Sequence, residues 1–264
     1  MKTILITGAT DGLGKALAFE LASRNYALIL HGRSPEKGEK LLSELLTKMP
    51  NAELIYYNAD FESIDQIKHL ASQVMKNHQE LHGLINNAGL GFEPKRTESV
   101  DGYEKVFQVN YLSTYILSQV LRPLLEKTTR AHIINVSSGL HQAIDFADPQ
   151  ITLEWSAMRA YSQSKLAQVT YTLAMAKILD PILVRINALH PATAMPTKIV
   201  MNHFEPQSDL KDGVNSIVHL VESNDQAIHG KFFAETTEAR PNAQAEDEKA
   251  QQQLMELSRQ LTGV

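Results

Sequence analysis

The 264-residue chain contains no cysteine. That absence excludes disulfide bonds, thiolate metal sites and cysteine nucleophiles, and it suits a reducing compartment. Long runs of positive charge are missing too. The formal net charge is -5 and no Lys/Arg block of the kind that tracks a phosphate backbone occurs, which argues against nucleic acid as a partner. No stretch approaches the roughly 18 apolar residues of a membrane span. The opening run Met1-Lys2-Thr3-Ile4-Leu5-Ile6-Thr7-Gly8 is too short for the apolar region of a signal peptide. The expectation is a cytoplasmic protein that begins with its first strand and makes no membrane span. Linkers rich in Pro, Gly or Ser, internal repeats and low-complexity blocks are also absent, apart from Gln251-Gln252-Gln253, so residues 1–264 read as one domain. Ten histidines are present, but no His-Glu-x-x-His motif of metalloprotease type accompanies them, and no metal is expected.

What is present is an ordinary globular balance, 43% hydrophobic and 21% charged. Short apolar runs recur at Thr3 to Thr7, Ala27 to His31, Leu54 to Tyr57, Gly83 to Asn86, His132 to Val136, Leu183 to Leu189 and Lys231 to Ala234. Helical periodicity fills the gaps: Leu13 to Leu21, Glu36 to Lys48, Ser63 to Asn77, Tyr103 to Glu126, Ala157 to Leu179 and Lys211 to Val221, with a terminal helix from Glu246 to Leu261. Alternating strands and helices, with continuously apolar strands, predict an α/β fold. Its form would be a single Rossmann-type doubly wound parallel sheet of about seven strands with helices on both faces. Ligands of such sheets bind beyond the carboxyl ends of the strands. Residues 139–160 and 191–212 interrupt the alternation on that side and are candidate substrate walls; they carry Phe146, Trp155, Met158, Met195 and Met201. These suit an apolar substrate, or equally the packing of the loops onto the domain.

The turn Thr7-Gly8-Ala9-Thr10-Asp11-Gly12-Leu13-Gly14 lies between the first strand and first helix. Glycines there let backbone approach a pyrophosphate whose charge the helix N-terminus favours, although such a turn alone also serves tight packing. The second strand ends in His31-Gly32-Arg33, with no acid to receive a ribose 2′-hydroxyl and with an arginine able to pair with a 2′-phosphate. NADP(H) is favoured and NAD(H) is the alternative, since the charge of Asp11 weighs against a phosphate. Tyr161 and Lys165 stand four apart on a predicted helix face, a spacing at which an ammonium can bring a phenol toward neutral pH.

Taken in order, the Thr7 to Gly14 turn, Asp60, Asn86-Asn87-Ala88-Gly89, Asn110, Asn135-Val136-Ser137-Ser138, Tyr161 with Lys165, and His190-Pro191 resemble the short-chain dehydrogenase/reductase family along nearly the whole chain. The resemblance implies an oxidoreductase that transfers hydride between the nicotinamide cofactor and a small-molecule carbonyl or alcohol. It implies that Ser138 holds the substrate oxygen, Tyr161 exchanges the proton, Lys165 binds the nicotinamide ribose and lowers the tyrosine pKa, and Asn110 anchors a water relay behind the lysine. Ser137 would support the turn. Gly8, Thr10, Asp11, Gly12, Leu13, Gly14, Arg33, Asp60, Phe61, Asn87, Ala88 and Gly89 would line the cofactor with Tyr161 and Lys165, and Pro191 would fix the loop over it. Thr193 or Thr197 would bond the carboxamide. Two departures stand out. Pro191-Ala192 replaces the family's frequent Pro-Gly, and Ser138 and Tyr161 are 23 positions apart, a longer spacing than is common. The excess, together with Glu238-Ala239-Arg240 and the tail, resembles the retinol-dehydrogenase-like branch. Pairing of the long helices into a homo-oligomer, which the longer segment would obstruct, stays open, as does a non-catalytic NADP(H)-binding regulator or scaffold.

Overall fold

A computed structural model describes every residue except 202 and 226, so one position of the 191–212 segment lies outside the described residues. Eight strands form one sheet: β1 (Thr3–Ile6), β2 (Ala27–Gly32), β3 (Leu54–Asn58), β4 (Gly83–Asn86), β5 (Ala131–Val136), β6 (Val184–His190), β7 (Lys231–Ala234) and β8 (Thr237–Ala239). Their order is β3-β2-β1-β4-β5-β6-β7-β8, parallel except for the last pair. Seven were expected. The eighth is a three-residue hairpin return with Glu235 at φ +57° in its turn, too short for alternation to mark it.

The helices are α1 (Gly12–Ser23), α2 (Pro35–Lys48), α3 (Ile64–Asn77), α4 (Lys105–Phe107), α5 (Ser113–Glu126), α6 (Ala157–Ala176), α7 (Lys198–Met201), α8 (Leu210–Glu222), α9 (Ala243–Glu246) and α10 (Glu248–Thr262). Side-chain caps set several starts: Asp11 on α1, Ser34 ahead of Pro35 on α2, Ser63 on α3 and Ser156 on α6 each accept a first-turn N–H. The helix expected over Tyr103 to Glu126 is not continuous. Glu104 caps a single turn by accepting from the Phe107 amide at 2.6 Å, and Gln108–Leu112 then widens into a π-helical turn before α5. No local sequence signal announces that turn, which carries Asn110.

Two apolar layers enclose the sheet. One packs α3, α5, α6 and α10 onto it through residues such as Leu70, Leu117, Val169 and Leu254; the other packs α1, α2 and α8 through Leu17, Leu41 and Ile217. The strand order reverses between β1 and β4, and the crevice expected at such a switch point lies beyond the carboxyl ends of the strands. Beneath it Asn86 on β4 donates to Asn135 Oδ1 on β5 at 2.8 Å, and Asn135 donates to Thr172 Oγ1 on α6 at 2.8 Å. These buried amide bonds tie β4, β5 and α6 together beneath the crevice, while Asn86 Oδ1 itself has no partner. Among the described residues, no helix is long and apolar enough to cross a membrane.

Two buried histidines make the fold acid-sensitive. Burial lowers the pKa of His31 to about 4 and that of His132 to about 3. An unfolded histidine titrates near 6.5, so the unfolded state binds the extra protons between pH 6.5 and these values. Stability is therefore full above about pH 6.5 and falls below it, each group contributing about 1.4 kcal/mol per pH unit. The urea midpoint should drop steeply from pH 6.5 to 4, less steeply in His132→Asn. A midpoint flat over that range would contradict this.

Candidate active site

The glycine turn fits a phosphate-binding role by what it leaves out. Gly8 adopts φ +67°, and a Cβ on it would lie 2.8 Å from Ala88 Cα. A Cβ on Gly14 would lie 2.2 Å from the Gly8 carbonyl oxygen and 2.5 Å from Asn87 Nδ2. The turn is thus pressed against the loop after β4, and Asn87 stitches the two by donating to Thr7 O at 2.8 Å. Thr7 Oγ1 accepts from the amides of Asn87 and Ala88, both at 2.9 Å. His31 braces the other side: its Nδ1 accepts from the Gly8 amide at 3.3 Å while Nε2 faces Ala59 O at 3.0 Å. First-turn amides of α1, which no carbonyl within the helix reaches, front a cleft of about 890 Å³.

Every sequence-predicted site residue lines this cleft except Asn110. Arg33 sits at one end, largely exposed and 3.5 Å from Glu62; Lys37 in the first turn of α2 lines the same corner and was not anticipated. Asp60 accepts from the Glu62 amide at 3.0 Å. The Phe61 ring stacks on His31 with centroids 4.2 Å apart, so only its backbone is free to meet a ligand. Asp11 caps Gly12 and is bonded by Lys198 from α7, which holds its carboxyl below the usual range.

At the other end stand Ser138, Tyr161 and Lys165. Ser137 Oγ donates to Lys165 O at 2.8 Å, which makes it a brace between β5 and α6, while Ser138 Oγ accepts from the Leu140 amide at 3.1 Å. Burial raises the Tyr161 pKa above its ordinary 10, with the Ser138 hydroxyl beside it acting the other way. Lys165 Nζ is 5.8 Å from the centre of the Tyr161 ring. The lysine is itself disfavoured as a cation: burial brings it down to about 7. Asn110 does not touch Lys165. Its Nδ2 donates to Ser164 Oγ at 2.9 Å and to Leu90 O at 3.1 Å, and its Oδ1 accepts from the Leu90 amide at 2.7 Å. Gly89 packs closely there: a Cβ would lie 3.2 Å from Asn110 Oδ1.

The buried lysine has a measurable cost. An unfolded lysine keeps its proton to about pH 10.5, so folding expels it between pH 7 and 10.5 and stability rises with pH through that window. Lys165→Met should raise stability at pH 7 by about 2 kcal/mol, roughly 4 °C in Tm, with the gain fading toward pH 10. An unchanged or lower Tm at pH 7 would contradict that account of the site.

The loops divide differently from expectation. Thr193 Oγ1 lies 3.2 Å from His190 Nε2, at the Ser138 end, whereas Thr197 packs its methyl toward Gly12. Ala192 is not among the left-handed residues; that conformation falls at Ala194, φ +48°, so alanine in place of glycine is unstrained. Residues 191–212 do wall the cleft, but of 139–160 only Gly139 and Leu140 do. The rest folds away, with Gln163 Nε2 donating to Pro149 O at 3.0 Å and the Glu104 amide to Gln150 Oε1 at 2.7 Å. Trp155 packs with Val106, Ile151 and Ala160, Phe146 packs on the core, and Met158 and Met201 are exposed. Of the five large side chains expected on the walls, Met195 alone lines the cleft. In their place stands a cluster not anticipated: Phe92, 4.8 Å from Tyr161, with His203 and Phe204 edge-on to it at 5.1 and 5.5 Å. Gly91 lets α7 come this close to the loop after β4, since a Cβ on it would lie 2.7 Å from Ile199 Cγ2.

A parallel sheet with its crevice at the strand-order reversal and a glycine turn in that crevice is the architecture of Rossmann-type α/β proteins. The chain belongs to the short chain dehydrogenase family of oxidoreductases, whose model matches residues 2–208. It is 29% identical over 276 residues to retinol dehydrogenase 12 of Mus musculus, covering all of this chain and 87% of that one. It is 31% identical over 282 residues to retinol dehydrogenase 13 of Homo sapiens, covering all of this chain and 85% of that one. Among solved structures, an uncharacterised protein from Mycobacterium paratuberculosis superposes with TM-score 0.82 at 25% identity, covering 100% of this chain and 94% of that one. An NADPH-bound carbonyl reductase from chicken fatty liver shares the fold, with TM-score 0.72 at 22% identity over 92% of this chain and 99% of that one.

Proposed function

We propose that this chain moves hydride between NADP(H) and an apolar carbonyl or alcohol. The observation that carries the reading is one cleft with the glycine turn at one end and Ser138, Tyr161 and Lys165 together at the other. When bound, the nicotinamide supplies or accepts the hydride. Tyr161 exchanges the proton at Oη: burial keeps the phenol protonated at neutral pH, the form a reduction needs. Ser138 Oγ orients the substrate oxygen, and Lys165 presents an N–H to the ribose. Thr193, at the Ser138 end, meets the carboxamide, while Asn87 and Ala88 with the turn line the remainder. Asn110 positions α6 from behind by way of Ser164.

Arg33 and Lys37 supply positive charge for a 2′-phosphate, opposed by Glu62; NAD(H) is the alternative that Glu62 and Asp11 favour. Phe92, Leu140 and Phe204 give the substrate an apolar wall, and the retinol dehydrogenases among the relatives support an alcohol or aldehyde of that kind. Aldehydes, ketones and secondary alcohols should be screened with NADPH and NADH in parallel. The expected result is oxidation of NADPH by apolar aldehydes, at least about tenfold faster than of NADH at equal concentration. A strong NADH preference would remove the role given to Arg33.

A further inference from the structure

The inner side of Lys165 meets a group that the proposed reaction does not use. Gln168 lies one turn further along α6 and is wholly buried. Its Oε1 accepts from Lys165 Nζ at 3.0 Å, and its Nε2 donates to Thr114 Oγ1 at 3.0 Å. Thr114 in turn donates to Asn110 O at 2.9 Å. The amide can stand only one way round: turned over, it would set an NH₂ against the ammonium and leave its oxygen facing a hydroxyl whose proton is already committed. The backbone is held as well, because Thr172 Oγ1 donates to Gln168 O at 2.8 Å and accepts from Asn135.

An ammonium has three donors. Val136 O takes one at 2.9 Å and Gln168 Oε1 takes another, which leaves one N–H for the cleft. Among the described residues no carboxylate pairs with Lys165. The titratable groups facing it are Tyr161 on its own helix and His141 from the loop after β5, whose pKa the lysine's charge helps to lower. The π-helical turn, α5 and the loop after β4 place Asn110, Thr114 and Gly89 on this side, none of them titratable.

We propose that Gln168 is the positioning residue of Lys165, its amide oxygen standing in for the missing carboxylate, so that the lysine is held as an ammonium with one N–H aimed at the cofactor ribose. The consequence for catalysis rests on the function proposed above; the test does not. In protein labelled with ¹⁵N-lysine, the Lys165 Nζ titration should be followed by NMR in the wild type, Gln168→Met and Gln168→Glu, with folding checked by thermal melts. Removing a bond to a charged group should lower the midpoint by about one pH unit in Gln168→Met, and a carboxylate should raise it by at least as much in Gln168→Glu. The pH at which reductive kcat/KM falls should move in the same directions. Midpoints unmoved in both folded variants would overturn the proposal; should Gln168→Met fail to fold, Gln168→Glu decides alone. If the midpoints move but the wild type reduces no carbonyl, the role of Gln168 stands and the proposed function falls.

Discussion

Tyr161→Phe is expected to lower reductive turnover by at least about 10³-fold while leaving NADPH affinity within a few-fold of wild type. The substitution removes only the hydroxyl. The ring keeps its contact with Phe92 at 4.8 Å and its place over the cleft, so the fold and the cofactor surfaces are undisturbed. What is lost is the proton that burial holds on Oη at neutral pH and the partner of Ser138. Lys165 cannot take over, since its Nζ is turned to Val136 O and Gln168 Oε1 and stands 5.8 Å from the centre of the Tyr161 ring. Turnover within about tenfold of wild type in a stopped assay would mean that another group delivers the proton, and the assignment of Tyr161 would be wrong.

Gly14→Ala is expected to have the second large effect, at the opposite end of the cleft. The added methyl has nowhere to go: it would meet backbone oxygen at 2.2 Å and the Asn87 amide at 2.5 Å. Neither neighbour is a flexible side-chain end, because Asn87 is bonded to Thr7 O and, at 3.3 Å, to Gly8 O. The turn must open, which separates α1 from the loop after β4 and misaligns the first-turn amides. We expect NADPH affinity to fall at least about 100-fold by titration calorimetry, equivalent to about 3 kcal/mol, with stability reduced by 1–3 kcal/mol, roughly. Affinity within a few-fold of wild type would show that the cofactor's phosphates do not rest on this turn.

The residues that the sequence made legible are those written into strand-to-helix turns, where neighbours in the chain are neighbours in space. The glycine turn, Asn87 to Gly89 and Ser138 belong to this class, and Tyr161 and Lys165 join them because four positions on a helix are one face. They all meet in the cleft. What stayed hidden depends on distant segments. Phe92, His203 and Phe204 form a cluster only because α7 descends onto the loop after β4, and Trp155 was drawn away by Val106 and Glu104, about fifty positions earlier in sequence. Polarity follows the same rule. Arg33 was visible, whereas its opponent Glu62 comes from the end of another strand. The i,i+4 spacing of Tyr161 and Lys165 implied a phenol pKa lowered by the lysine together with a bound nicotinamide; what spacing does not reveal is that burial in the chain itself raises Tyr161 and lowers Lys165. The π-helical turn at Asn110 follows the single turn capped by Glu104 and has no signature in residue type.

The central claim, hydride delivery from the nicotinamide to a carbonyl carbon, is tested most directly with NADPH dideuterated at C4 and an apolar aldehyde. The account predicts an alcohol carrying one deuterium on its carbinol carbon, formed by the wild type and not by Tyr161→Phe. Unlabelled alcohol, or labelled cofactor bound but never consumed across the aldehyde panel, would contradict it.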